Sequence, residues 1–357
     1  MIEAGGGGGD GGGGDVDADH TVLVDGHTAD LYSVAFHPQW PAVYATACES
    51  HYCFLWDAKA RRALRAVLCE GRCRSVDFSP SGSHLAVGTR EGGVEVFSVT
   101  FGARIPRVGK STGTPAPVAK ARTFSSAVDA IRYSPDGRLL AAGSHDRVID
   151  LFDVRGGYRR VARCEGHSAT ITHMDWSADS RVLMSNDGGY EILYWDAGTG
   201  RQLAQNQRDT AWASWTCVLG FPVMGIWPEN ADGTDVNAVS ASRSRRYVVT
   251  ADDFGGVNLY NFPCVVEEAP HDRNGGHSSH VMCARFSPDD RWVVTVGGHD
   301  RAVFQWRTRG VEDVGPPPAG AVKFAGVEGG GPLGTGFQTK VSKTMGQVEE
   351  RRRRLAE

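Results

Sequence analysis

The residues best able to do chemistry in this chain stand in a few short groups. Ser144-His145-Asp146 carries the three side-chain types of a hydrolytic triad. A triad, however, is assembled from separated residues that converge, and three neighbours at a turn do not. Gly109-Lys110-Ser111-Thr112 matches the end of the phosphate-cradling pattern G-x-x-x-x-G-K-S/T. The leading glycine of that pattern would fall at Arg104, and Gly102 stands two positions too early. No strand-then-helix pattern surrounds it to aim backbone amides at a phosphate, so nucleotide binding is rejected. Asp232-Gly233-Thr234-Asp235 brings two carboxylates close together. An EF-type calcium loop needs oxygen ligands at alternate positions and a closing Glu, so a turn is the simpler expectation. Cys69 and Cys73 have no His or Cys pair at zinc-finger spacing nearby. His37, His84 and His299 fall at turns, where exposed polar residues are expected. With no nucleophile elbow, metal-ligand set or phosphate cradle, the chain reads as a non-enzyme without a cofactor.

What remains is charge. Arg104, Arg107, Lys110, Lys120 and Arg122 lie in 100–126, a stretch without an acidic residue that reads as an insertion. Arg351, Arg352, Arg353 and Arg354 form a second basic block directly after Glu349 and Glu350. Each group is either a solvated surface or a contact for an acidic partner, since clustered exposed cations speed association with an oppositely charged surface. The net charge of −4 argues against a protein built to grip nucleic acid. No apolar run approaches the roughly 18–20 residues that cross a bilayer, and the N-terminus does not read as a signal peptide. A cytoplasmic protein is therefore expected. The eight cysteines mostly fall in or beside expected strands, as small apolar residues.

The elements that position these groups repeat. Residues 127–154 break into three apolar runs: Val128 to Tyr133, Leu139 to Gly143, and Val148 to Phe152. Ser134-Pro-Asp-Gly137 and Ser144-His-Asp146 separate them with tight-turn composition. The aromatic closing the first run, Tyr133, has counterparts at Phe36, Phe78, Trp176 and Phe286, with Ala241 in the weakest copy. Successive spacings are 42, 55, 43, 65 and 45 residues. A period near 40–45 is that of a four-stranded propeller blade. Third runs recur as Phe54-Leu55-Trp56-Asp57, Leu193-Tyr194-Trp195-Asp196 and Phe304-Gln305-Trp306, and Gly-His pairs open units at His27, His167 and His277. The chain thus resembles the WD-repeat family over Thr21 to Thr308. The resemblance implies an all-β propeller of six or seven blades over residues 20–308. Thr21 to Val24 is expected to complete the blade begun at the C-terminal end.

The resemblance also implies a His–Ser/Thr–Asp–Trp hydrogen-bond set in each blade. His27, Thr46 and Trp56 match three members in the first unit, with Ser50 at the Asp position. His277, Asp300 and Trp306 match in the last, with Val296 at the hydroxyl position, and Asp146 matches in the third. No unit matches in full, so apolar stacking between blades is expected to dominate stability.

One stretch narrows the likeness. Residues 209–228 hold Trp212, Trp215 and Trp227, far more apolar than a surface loop tolerates. Thr216–Leu219 and Phe221–Trp227 read as two extra strands packed on the ring, either widening a blade or building a seventh. Together with Ala142-Gly143-Ser144-His145-Asp146, Tyr190 to Asp196 and Gly276 to Val281, the segment WASWTCVLGFPVMGIWP resembles the echinoderm microtubule-associated protein-like family, in its second propeller. The hydrophobic motif opening that family's first propeller, and its N-terminal coiled coil, are not found in these residues.

Residues 1–19 are nearly all Gly and Asp and are expected to stay disordered. Residues 309–336 read as a Pro/Gly-rich linker and 337–357 as a short basic helix. The resemblance implies a non-catalytic protein that binds tubulin or decorates microtubules, in cytoplasm, cytoskeleton or cilium. The alternative is a scaffold that recruits another protein through the propeller face.

Overall fold

The computed structural model describes residues 27–99, 115–227 and 231–308. Within them the strands form six antiparallel sheets, each a meander of neighbours in sequence. The first blade is β1 (Leu31–Phe36), β2 (Val43–Cys48), β3 (Tyr52–Asp57) and β4 (Arg62–Leu68). The second is β5 (Cys73–Phe78), β6 (His84–Thr89), β7 (Gly93–Ser98) and β8 (Pro117–Arg122). The third is β9 (Val128–Tyr133), β10 (Leu139–Ser144), β11 (Val148–Asp153) and β12 (Arg159–Glu165). The fourth is β13 (Ile171–Trp176), β14 (Val182–Asp187) and β15 (Ile192–Asp196). The fifth is β16 (Val236–Ala241), β17 (Tyr247–Asp252), β18 (Val257–Asn261) and β19 (His271–Asn274). The sixth is β20 (Val281–Phe286), β21 (Trp292–Gly297) and β22 (Val303–Arg307).

A ring follows from where the apolar residues go. Successive side chains of a strand point to opposite faces, so each sheet has two faces to bury. In β2 every residue is buried: Ala45 and Ala47 join a core shared with the second blade, and Tyr44 one shared with the sixth. Six such clusters occur, one at each junction between neighbouring blades. No blade owns a core, so a blade cannot stand alone. The last junction closes the circle, where Gln305 donates to the Tyr44 hydroxyl at 2.8 Å. The blade count is six.

The turn after each inner strand is fixed by one side chain. The hydroxyls of Ser79, Ser134, Ser177, Ser242 and Ser287 each accept from the backbone N–H five residues on, at 2.9–3.1 Å. His37 replaces that serine in the first blade. Its Nδ1 accepts from Gln39 and Trp40 N–H, and its Nε2 donates to Gly82 O of the next blade at 3.0 Å. His37 is therefore buried, not exposed as a turn histidine was expected to be.

Three other expectations change. Residues 117–122 are not loop but β8, the outer strand of the second blade, so Lys120 and Arg122 sit on a sheet. Thr216–Leu219 is not a strand, and Phe221–Ile226 is a 3-10 helix. The 1–19 tail, the strand expected at Thr21–Val24, the linker and the C-terminal helix lie outside the described residues.

Candidate functional site

The hydrogen-bond sets are more complete than the sequence suggested. In the sixth blade, His277 Nδ1 meets Asp300 at 2.8 Å and its Nε2 meets Thr295 Oγ1 at 2.9 Å. Trp306 Nε1 donates to the same hydroxyl at 2.9 Å. The hydroxyl is Thr295, not a missing group at Val296. Trp306 lies eleven residues beyond Thr295, whereas the equivalent separation is ten in the first and fourth blades. One extra residue in the β21–β22 turn shifts the alignment. The fourth blade has all four residue types in place: His167 Nε2 meets Ser185 Oγ at 2.6 Å, and Trp195 Nε1 donates to that hydroxyl at 2.7 Å. His167 Nδ1 lies 3.1 Å from Asp187 as an ionic contact without hydrogen-bond geometry. The first blade keeps His27–Thr46–Trp56, each contact 2.7 Å. There Ser50 turns to Cys48, and burial holds His27 down at about 4.

Blades two, three and five substitute a polar group at mid third strand. Glu95 caps the Glu70 and Gly71 amides, Asp150 holds Arg163 with two oxygens at 2.6 and 2.9 Å, and Asn258 donates to Asp252. Ser144, His145 and Asp146 point apart. They bond to Ser126 O, Asp129 and Ser125 respectively, which leaves no nucleophile–base contact. Asp232 to Asp235 closes on itself as a turn, with Asp232 N–H donating to Asp235. All eight cysteines are free and buried, and burial pushes the Cys53 and Cys217 thiols well up, away from reactive thiolate. His167, Asp187 and Glu191 lie close enough to hold a metal ion, but His167 and Asp187 are already engaged in the fourth-blade set.

The aromatic segment is the distinctive element of the ring. At the other five junctions the inner strands pack side by side, while β13 and β16 make no comparable contact. The gap between them is filled by residues 212–226, whose Trp215, Cys217, Val218, Val223 and Ile226 form one cluster with Met184 on one side and Val239 and Val248 on the other. Asp175, wholly buried on β13, accepts from Thr216 N–H at 2.5 Å, Cys217 N–H at 2.8 Å and the Ser214 hydroxyl. Asn186 takes the Leu219 N–H at 3.0 Å. On the fifth-blade side, Ala241 N–H donates to Trp215 O and Arg245 donates to Trp212 O. Trp212 stacks on Tyr194, Trp215 stands edge-on to Trp212, and Trp227 donates to Val218 O at 3.1 Å. Gly220, at φ 138°, passes against the Trp215 ring, where a Cβ would collide. The three tryptophans thus wedge two blades apart. Asp175 and Asn186, which hold the wedge, carried no signal in the sequence.

Of the cations, Arg104, Arg107, Lys110 and Arg351 to Arg354 lie outside the described residues. Lys120 and Arg122 are exposed on β8, and Lys120 pairs with Glu70 at 2.8 Å. So exposed a pair is weak and readily exchanged for another anion.

Comparison with known proteins is consistent with this geometry. A family model described as the echinoderm microtubule-associated protein second beta-propeller matches residues 31–308. Echinoderm microtubule-associated protein-like 2 of Rattus norvegicus is 42% identical over 297 residues, covering 82% of this chain and 44% of that protein. Echinoderm microtubule-associated protein-like 3 of Homo sapiens is 39% identical over 303 residues, covering 83% and 32%. Echinoderm microtubule-associated protein-like 1 of Mus musculus is 40% identical over 297 residues, covering 82% and 35%. The chain spans less than half the length of each of these relatives. A match that runs across the described ring, with identity near 40%, places the chain in the echinoderm microtubule-associated protein family, in the part that forms the second propeller.

Proposed function

We propose that this chain is a non-catalytic microtubule-associated protein whose propeller binds or decorates the polymer, in cytoplasm, cytoskeleton or cilium. The observation that carries the reading is identity near 40% across the ring to proteins named for microtubule association. The chemistry fits a polyanionic partner. Lys120 and Arg122 stand exposed on an outer strand, and the acidic tails of tubulin would compete with Glu70 for Lys120. Arg104, Arg107 and Lys110 precede them in the chain, and Arg351 to Arg354 offer a second basic block.

Co-sedimentation with microtubules at low and moderate salt tests this. Pelleting that weakens as salt shortens the Debye length supports it; no pelleting at either salt removes direct binding. The second reading, a scaffold for a non-tubulin partner, is favoured by Phe254, 71% exposed at the β17–β18 turn. It is disfavoured for the tryptophan segment, since Trp215 is only 5% exposed within its wedge. A stable partner other than tubulin, lost in Phe254→Ser, would decide for it.

A further inference from the structure

Each of the six inner strands carries a β-bulge at the same register, skipping its second residue. The skipped residues, Tyr32, Arg74, Asp129, Thr172, Asn237 and Met282, all line a central cavity of about 280 Å³. Arg132, His173 and Arg285 line it as well, and they differ in how well they are satisfied. Arg74 is neutralised by Asp129 at 3.0 Å and Glu49 at 3.7 Å. Arg132 reaches Asp77 only at 3.7 Å and Thr216 Oγ1 at 3.3 Å. Arg285 donates from Nη1 to Val239 O and Ala284 O, but its buried Nε meets no partner. Among the described residues, no carboxylate forms an ion pair with it. His173 donates from Nε2 to Asn237 O, so in the neutral ring its buried Nδ1 is an unmet acceptor rather than a further donor.

These three groups face one space. Burial first, then Arg285 and Arg132, hold His173 down at about 4. Asp175 and Asp77 act on Arg285 from further off, yet their oxygens are committed, Asp77 to the Tyr133 N–H and Asp175 to the wedge. They offset charge without filling the open donor. The enclosed Nε is out of a ligand's reach. Arg285 is only partly buried, however, and among the described residues its Nη2 has no protein acceptor, so an N–H of this guanidinium stays open where the side chain lines the cavity. Its planar fork suits a phosphate oxygen pair better than any single-point acceptor.

We propose that the central channel is a binding site for a small phosphate oxyanion, free or as the head of a small metabolite, held by Arg285 and Arg132 with His173 beside it. The site is independent of microtubule binding. Calorimetry and thermal melting of the full chain, with inorganic phosphate or glycerol phosphate against chloride at equal ionic strength, test it. The expected result is saturable one-site binding and a melting temperature that rises with ligand. Tighter binding of the ester assigns the site to a metabolite, and tighter binding of phosphate to the free ion. Arg285→Gln should weaken binding at least tenfold, while Arg122→Gln on the exposed β8 strand should leave it unchanged. Should Arg285→Gln fail to fold, Arg285→Lys keeps the charge, loses the fork and should also bind at least tenfold more weakly. Absence of saturable binding by both ligands, or unaltered affinity in the folded Arg285 variant, overturns the proposal.

Discussion

Replacing Trp195 and Trp215 separately by phenylalanine removes the same atoms from two equally enclosed places, 0% and 5% exposed. What differs is the indole N–H. Trp195 donates to Ser185 Oγ, which also serves His167, whereas Trp215 Nε1 is buried without a partner. Each substitution loses transfer energy and leaves a small cavity, together about 1–2 kcal/mol. Trp195→Phe additionally breaks a buried hydrogen bond and unbalances the set, about 1–3 kcal/mol more. Trp215→Phe discards a donor that was never satisfied and carries no such term. Urea unfolding followed by far-UV circular dichroism reads the difference without relying on the tryptophan fluorescence that both changes alter. With an m-value of about 3 kcal/mol/M, Trp195→Phe should lower the midpoint by roughly 0.3–1 M more than Trp215→Phe, at unchanged m. Equal shifts would show that the hydrogen-bond sets add nothing measurable beyond apolar stacking.

Three further outcomes follow from the wedge and the channel. Gly220→Ala should destabilise by about 1–3 kcal/mol, read as a fall in melting temperature, because φ 138° suits glycine and the new methyl meets Trp215. Asp175→Ala leaves the Thr216 and Cys217 amides unmet; labelling of the Cys217 thiol should accelerate, while that of Cys53, in another junction, should not. In phosphate-free buffer, stability should fall with acid. His173 is held at about 4 in the folded state against 6.5 unfolded, so between those values the unfolded chain binds the extra proton. Its contribution is complete above pH 6.5 and is lost by pH 4, up to roughly 3 kcal/mol. His173→Gln should flatten that slope by about one proton.

The repeat was legible because a meander writes itself locally. Alternating strands and Ser-Pro-Asp-Gly turns are short-range features, and their recurrence alone pointed to blades. His37 misled because its role lies in a turn where five other blades use serine, and its second bond reaches the neighbouring blade. Thr295 was missed because one added turn residue broke the fixed spacing to Trp306. Lys120 and Arg122 were read as loop because the strand that holds them borders an insertion and begins with proline.

By itself, the sequence determined the meanders, their number within one, and a tryptophan segment too apolar for solvent. Each of these depends on residue types a few positions apart. Only the tertiary structure decided that the segment is a wedge between blades four and five, clamped by a buried Asp175, and that Arg132, His173 and Arg285 meet in one cavity. Those relations join residues from tens to more than a hundred positions apart. They exist only once neighbouring sheets bury their faces against each other and the ring brings six inner strands to a common axis.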